Sequence, residues 1–162
     1  MKILGIYGGQ DPDGLTASLV KTILAGVTAP ATTEFIDLNQ YQLRPDRPGQ
    51  TNPVLDELEE KLQAADVWIL GTPTYFGTVA GQFKQLLDCL RHRITRMTHQ
   101  GDTLPGKFKD KHYVSVTSCF ATGLDNTFTH QTDATLVTID KAMTTAGLHK
   151  ITELVLPHTW GM

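Results

Sequence analysis

The sequence predicts an α/β fold in which helices cover both faces of a five-stranded parallel sheet. Short apolar runs alternate along the whole chain with segments whose apolar residues recur at helical spacing. Such alternation implies right-handed crossovers between parallel strands. The chain has 162 residues, 40% hydrophobic and 19% charged, a balance typical of a globular protein with a full core. We therefore expect one domain over residues 1–162.

Five short runs are the candidate strands, and they span residues 3–7, 33–38, 67–70, 112–117 and 151–156. The first is apolar on both faces and ends at Gly8-Gly9, as a buried parallel strand should. Helices are predicted at 15–25, from Pro53 onward, at 79–90 and at 134–146. Pro53 suits a first helical turn, and Gly147 is a usual helix C-cap. The sequence stops at Met162, soon after the fifth run, so we expect the usual closing helix to be absent.

Charge and composition argue against several classes of protein. A formal net charge of −3 and a pI of about 6.0 are too mild for a partner of nucleic acid or of an anionic membrane. No apolar stretch approaches the roughly 20 residues that span a bilayer. Two cysteines are too few for a disulfide framework, and the six histidines lack metal-binding spacing, so we expect a cytoplasmic protein without a metal site.

The loops after the first, third and fourth strands are the candidate binding loops, because ligands of open parallel sheets bind beyond the carboxyl ends of the strands. The first loop covers residues 8–16, where glycines leave backbone N–H groups accessible at the start of a helix. Such a helix start carries a partial positive charge and favours anions, and Thr16 adds a hydroxyl. A Pro-Asp-Gly turn that only caps the helix explains the same residues equally well.

The second loop, residues 71–79, carries two adjacent aromatic residues, Tyr75 and Phe76, between Pro73 and Gly77. Neither aromatic residue has apolar neighbours at helical or strand spacing. This isolation favours a ring offered to a flat ligand over a core position. Packing beneath the loop remains an alternative for one of the two rings, and Tyr75 is our candidate for the ligand-facing one.

Three segments resemble the NADPH-dependent FMN reductase family of flavodoxin-like proteins, which includes the flavoprotein part of iron–sulfur flavoproteins. They are Ala65-Asp66-Val67, Gly71-Thr72-Pro73-Thr74-Tyr75-Phe76-Gly77 and Gln82-Phe83-Lys84-Gln85-Leu86-Leu87-Asp88. The later Leu104-Pro105-Gly106-Lys107 and Ala146-Gly147-Leu148 also match in place. The resemblance implies a flavodoxin-like three-layer sandwich with strand order 2-1-3-4-5.

The resemblance also implies a bound FMN, with its phosphate in the first loop and its ring between the second loop and a third loop at 118–123. The implied cofactor-binding residues are Gly9, Gln10, Asp11, Gly14, Leu15, Thr16, Pro73, Thr74, Tyr75, Phe76, Gly77, Ser118, Cys119, Phe120 and Gly123. It further implies NADPH or NADH as electron donor, a small-molecule acceptor, a homodimer or larger assembly, and no catalytic side chain, since the flavin carries the chemistry.

The first loop departs from the family pattern at three positions. Gly9 replaces a serine, Asp11 replaces an arginine, and Leu15 replaces an asparagine or serine. Carboxylates at Asp11 and Asp13 oppose a bound phosphate, so we expect weak FMN binding. Two other functions remain open: a flavodoxin-like electron carrier, and a cofactor-poor flavodoxin-like protein with a binding or regulatory role.

Residues outside these loops receive simpler interpretations. Lys84 and Asp88 are four residues apart on one predicted helix, so we expect them to form a surface ion pair. We expect a solvated rim formed by Arg91, Arg93 and Arg96. Contact of these arginines with the 2′-phosphate of NADPH is a minor alternative. We expect Cys119 to be a small, buried, apolar side chain, because nothing cationic lies beside it in the sequence to stabilise a thiolate.

Overall fold

The computed structural model describes residues 1–47, 49–97, 100, 103–104 and 106–159. Its main sheet contains five parallel strands in the spatial order β2-β1-β3-β7-β8. These strands are β1 (Lys2–Tyr7), β2 (Thr32–Asp37), β3 (Val67–Tyr75), β7 (His112–Ser118) and β8 (His149–Leu156). A sixth strand, β4 (Thr78–Val79), pairs antiparallel with β3, and β5 (Arg96–Met97) and β6 (Thr103–Leu104) form a separate ribbon. The α/β flavodoxin-like fold with a parallel sheet is thus confirmed.

The prediction of a five-stranded sheet was wrong by one strand. Counted within the six-stranded sheet, the order is 2-1-3-5-6, because the unpredicted strand β4 follows β3 directly. β3 itself continues to Tyr75 instead of ending at Leu70, and it turns back through Phe76 and Gly77. Residues 71–79 are therefore a hairpin rather than an open loop.

Five helices accompany the sheet within the described residues: α1 (Leu15–Ala25), α2 (Pro53–Ala64), α3 (Gly81–Ile94), α4 (Gly123–Thr129) and α5 (Asp133–Ala146). α3 begins two residues later than predicted because Thr78 and Val79 belong to β4. α4 was not predicted. None of the helices in the described part of the chain is long and apolar enough to cross a membrane.

The helices form two layers around the sheet. α1 packs on one face through Val20 and Leu24, which contact strand residues such as Ile69. α2, α3 and α5 pack on the other face in a larger cluster, whose central residues include Leu58, Phe83, Trp68 and Ile139. Burial of aliphatic and aromatic side chains of this size contributes about 1.5–3 kcal/mol each. The three-layer arrangement places all the β-to-α loops at the carboxyl edge of the sheet.

β8 forms one edge of the sheet and contains no fully buried residue. Leu154 lies beside Val116 of β7 on the face covered by α1, yet it remains 39% exposed. Ile151, at the irregular pairing near the start of β8, is 55% exposed. No helix follows β8 among the residues described up to Thr159, and residues 160–162 lie outside the described residues, as does Pro105 of the matched segment at 104–107.

Candidate functional site

An open cavity of about 710 Å³ lies at the carboxyl edge of the sheet. Its lining comes from the loop after β1, from the β3–β4 hairpin and from the segments after β7: Gln10, Thr74, Tyr75, Phe76, Gly77, Phe120 and Gln131. The three predicted binding loops therefore meet in one place. The volume falls within the range of roughly 300–1,000 Å³ typical of cofactor pockets.

The β3–β4 hairpin supplies the aromatic wall of this cavity. Tyr75 pairs with Thr78, and the two intervening residues, Phe76 and Gly77, have φ values of 51° and 76°. Two positive φ values make the tight turn that matches the twist of a β-hairpin. Tyr75 is 39% exposed and Phe76 is fully exposed, so neither ring packs beneath the hairpin. Phe76 therefore adopts a conformation unfavourable for a bulky residue without any packing in return, as ligand-binding residues often do.

The base of the hairpin is fixed by hydroxyl groups. Thr74 Oγ1 lies 2.9 Å from Thr117 Oγ1 on β7 and 2.9 Å from Thr135 Oγ1 on α5. Thr72 Oγ1 accepts a hydrogen bond from Ala80 N at 3.0 Å, which joins β3 to the start of α3. Pro73 is tolerated within β3 because β1 has already ended: its last pair is Tyr7 with Gly71. The aromatic pair thus stands on a rigid support.

Gly9 of the first loop lies directly against the buried side chain of Tyr7, the last residue of β1. Tyr7 is 2% exposed, and its hydroxyl donates to Asp11 O at 2.6 Å. Burial raises the pKa of Tyr7 to about 12, so the hydroxyl remains a donor at neutral pH. A Cβ atom at Gly9 would lie 2.2 Å from Tyr7 Oη. This contact explains why position 9 carries no side chain.

The charged residues of the first loop are partly neutralised by contacts that the sequence did not reveal. Asp11 Oδ1 accepts the Asp13 backbone N–H at 3.0 Å, so this carboxylate stabilises the turn itself. Lys21 lies on the second turn of α1. Its Nζ is 3.7 Å from Asp13 Oδ1 and donates to Pro12 O at 2.8 Å. Helical spacing brings this lysine back to the loop. Gly14 is the N-cap of α1, and because it has no side chain, no side-chain hydrogen bond caps the first N–H groups of this helix.

Thr16 and Ser118, predicted in different loops, are hydrogen-bonded to each other. Their hydroxyl oxygens lie 2.6 Å apart, and both residues are buried. One hydroxyl donates to the other, and the accepting hydroxyl keeps its own hydrogen for a further partner. The predicted contact of Thr16 with a phosphate stays a prediction.

Cys119 contributes no free polar group to the cavity. Its side chain is 3% exposed, and burial raises the pKa of the thiol. Its backbone N–H donates to Leu156 O at 3.0 Å, and its carbonyl accepts from the backbone and hydroxyl of Thr159. The expected buried, apolar role is confirmed.

The segment after β7 places Phe120 and Gln131 on the cavity wall. Phe120 is 61% exposed, as expected of a ligand-facing ring. Gln131 was missed because it follows α4, a seven-residue helix with no buried side chain and hence no apolar periodicity. A signal was present: Thr122 Oγ1 accepts the Asp125 N–H at 3.1 Å, a capping pattern readable from the sequence. Gly123 begins this helix rather than facing the cavity.

Two basic residues of α3, Lys84 and Arg93, form ion pairs. Lys84 Nζ lies 2.6 Å from Asp88 Oδ1 with both side chains exposed, which confirms the predicted surface ion pair. Arg93 is not part of a solvated rim: its side chain is 15% exposed and contacts three carboxylates, those of Asp46, Asp56 and Glu59. Its guanidinium is thus already occupied, which excludes it from the alternative role at a phosphate.

The chain is similar to a known protein family and to characterised relatives. The profile of the family described as NADPH-dependent FMN reductase matches residues 1–131. An iron–sulfur flavoprotein of Methanocaldococcus jannaschii is 37% identical over 111 residues, which are 62% of this chain and 56% of that protein. An FMN-dependent NADPH-azoreductase of Staphylococcus aureus is 33% identical over 109 residues, 62% of this chain and 58% of that protein. The chain spans little more than half the length of these relatives.

A solved structure supports the fold. An NAD(P)H:quinone oxidoreductase from Methanothermobacter marburgensis superposes with a TM-score of 0.81, covering 99% of this chain and 88% of its own at 14% identity. At this identity the likeness concerns the fold alone.

The residues present do not fit an iron–sulfur cluster, although one relative is named for such a cluster. Clusters of the common types are held by four cysteine thiolates. The chain contains two cysteines, Cys89 on α3 and Cys119 after β7, and both are buried. Within the described ranges, no group of three or more histidine, cysteine, aspartate or glutamate side chains is arranged to hold a metal.

Proposed function

This chain belongs to the NADPH-dependent FMN reductase family, and we propose that it is an FMN-dependent NAD(P)H oxidoreductase that reduces a small acceptor. The observation that carries the proposal is the 710 Å³ cavity at the carboxyl edge of the sheet, which Phe120 and the two aromatic residues of the hairpin line together. A flat ring system is the ligand that several exposed aromatic side chains in one cavity accommodate best.

The residues present fit FMN at both of its ends. Tyr75, Phe76 and Phe120, which line the cavity, would hold the ring. The start of α1 would hold the phosphate, because its first N–H groups lack a side-chain cap and the helix dipole favours an anion there. Bound FMN would supply the hydride-accepting centre. The chain itself binds and orients the cofactor and leaves its exposed face open to the donor and then to the acceptor.

Flavin titration tests this proposal. We expect purified protein to quench the fluorescence of FMN and to oxidise NAD(P)H with the flavin bound. Tyr75→Ala should weaken FMN binding by about 1–3 kcal/mol, because stacking of this ring on flavin would be lost. Phe128→Ala is the control, since Phe128 is also an exposed aromatic residue, at 75% against 39% for Tyr75, and does not line the cavity. If Tyr75→Ala and Phe128→Ala bind FMN alike, Tyr75 is not the stacking residue. If none of the proteins binds FMN, the proposal is refuted.

The remaining expectations stay proposals. We keep a homodimer or larger assembly, supported by exposed Ile151 and Leu154 on β8, because apolar surface of this kind is commonly buried against a partner. Light scattering of the purified protein measures this directly. A cytoplasmic location and a single domain over residues 1–162 also stay predictions.

A further inference from the structure

A second cavity, of about 530 Å³, lies between the end of β2 and the start of α2. Two arginines, Arg44 and Arg47, contribute to its lining, together with the apolar side chains of Pro45, Pro53 and Val54. We call it the arginine cavity. A cavity that combines two guanidinium groups with apolar walls suits a ligand that is anionic at one point and flat or apolar elsewhere.

Neither arginine of this cavity has its charge neutralised by the described residues. The ion pairs and side-chain hydrogen bonds of this region involve other groups: Asp46, between the two arginines in sequence, binds Arg93 at 2.7 Å. Asp56, in the first turn of α2, also binds Arg93 at 2.7 Å. Because Arg93 holds both carboxylates, the two guanidinium groups retain their donors for an external anion. Arginine binds phosphate in a bidentate geometry, with charge-assisted hydrogen bonds.

Hydrogen bonds join the segment between β2 and the arginine cavity to the first loop and to α3. Asn39 Nδ2 donates to Gly9 O at 2.8 Å, and Gln82 Nε2 donates to Asn39 Oδ1 at 3.2 Å. Gln85 Nε2, one turn further along α3, donates to Leu43 O at 2.9 Å. β2 lies directly beside β1 in the sheet, so the segment that lines the arginine cavity follows the strand end next to the first loop.

We propose that Arg44 and Arg47 bind the 2′-phosphate of NADPH and so make the chain select NADPH over NADH. This inference rests on the proposed function, since it assigns the donor of the same flavin site. NADH carries a hydroxyl where NADPH carries this phosphate, so only NADPH gains from the two arginines. The apolar walls of the arginine cavity receive the adjoining adenosine.

Direct binding tests the inference without any flavin chemistry. Isothermal titration of the FMN-loaded protein with 2′-AMP and with 5′-AMP should show tighter binding of 2′-AMP. Arg44→Gln/Arg47→Gln should weaken 2′-AMP binding by roughly tenfold or more, the loss expected for at least one charge-assisted hydrogen bond, and leave 5′-AMP binding unchanged. Arg91→Gln/Arg96→Gln is the matched control, because it removes the same charge from two exposed arginines that line neither cavity.

Steady-state kinetics provides the second measurement. The double substitution at Arg44 and Arg47 should raise KM for NADPH by at least tenfold, with kcat and the KM for NADH unchanged. Equal changes for both nucleotides, or equal effects of the control pair, would overturn the inference. Inorganic phosphate that binds as tightly as 2′-AMP would also overturn it, because the site would then recognise a free anion. Protein that binds 2′-AMP through these arginines but holds no FMN would refute only the proposed function.

Discussion

Substitution of Gly9 by serine perturbs the most crowded point of the first loop. The new Cβ would lie 2.2 Å from Tyr7 Oη, 2.6 Å from Tyr7 Cζ and 2.8 Å from Pro73 Cδ, far inside normal contact distances. Tyr7 cannot move aside freely, because it is 2% exposed and its hydroxyl bonds Asp11 O. Overpacking costs about 1–3 kcal/mol and loss of the hydrogen bond about 0.5–1.5 kcal/mol. We expect Gly9→Ser to destabilise the fold by roughly 2–4 kcal/mol.

Urea unfolding of a double-mutant cycle measures this effect. Tyr7→Leu removes the ring, so Gly9→Ser should cost at least about 1 kcal/mol less in that background than in the wild type. Should Tyr7→Leu fail to fold, Tyr7→Phe removes the closest contact and gives the same comparison on a smaller scale. Gly81→Ser is the control, since a Cβ at Gly81 meets nothing within 4 Å. An equal cost of Gly9→Ser in both backgrounds, or a cost no larger than that of Gly81→Ser, would show the crowding argument to be wrong.

Two further substitutions test charged groups. Hydrogen bonds from Lys2 and Lys61 hold the pKa of Glu34 below its ordinary value of 4.5, so its stabilisation is present above that value and is lost as the pH falls through the folded pKa. The free energy of unfolding should therefore fall more steeply on acidification below pH 4.5 in the wild type than in Glu34→Gln, as urea titrations at several pH values measure; parallel curves would contradict this. Asp11→Asn keeps the acceptor for the Asp13 N–H but removes a negative charge near the start of α1, so FMN should bind about two- to fivefold more tightly with riboflavin unchanged. Fluorescence titration with FMN and with riboflavin measures both affinities. If Asp11→Asn changed both affinities equally, Asp11 would lie away from the phosphate.

The parts of the fold that the sequence predicted are those decided by local apolar patterning. The run at 3–7 is almost wholly apolar because β1 is buried on both faces, and the structure places β1 and β7 within one residue of the predicted bounds 3–7 and 112–117. The hairpin escaped prediction because its turn uses Phe76, whereas Asn-Gly or Gly-Gly is the usual signal for positive φ at both positions.

Contacts between residues distant in sequence could not be predicted from patterning. Arg93 contacts Asp46 and Asp56 from 47 and 37 residues away, and only the packing of α2 and of the segment before it against α3 brings them together. The three candidate binding loops contribute to one cavity because parallel strands place their carboxyl ends together whatever the side chains are. Which side chains face the cavity, such as Gln131 instead of Cys119, depends on a short helix that has no periodic signal.

Other segments also orient the first loop, which lacks the serine and the arginine of the family pattern. Its carbonyl groups are held by other segments: Thr72 Oγ1 contacts Gly8 O at 3.2 Å, Asn39 Nδ2 donates to Gly9 O, and Tyr7 Oη donates to Asp11 O. In a trans peptide the following N–H points opposite to its carbonyl, so fixing the Gly9 carbonyl also fixes the Gln10 N–H. Gln10 lines the cavity. An FMN phosphate placed here would therefore depend on backbone donors oriented by residues outside the loop, which replaces side-chain recognition by preorganised backbone.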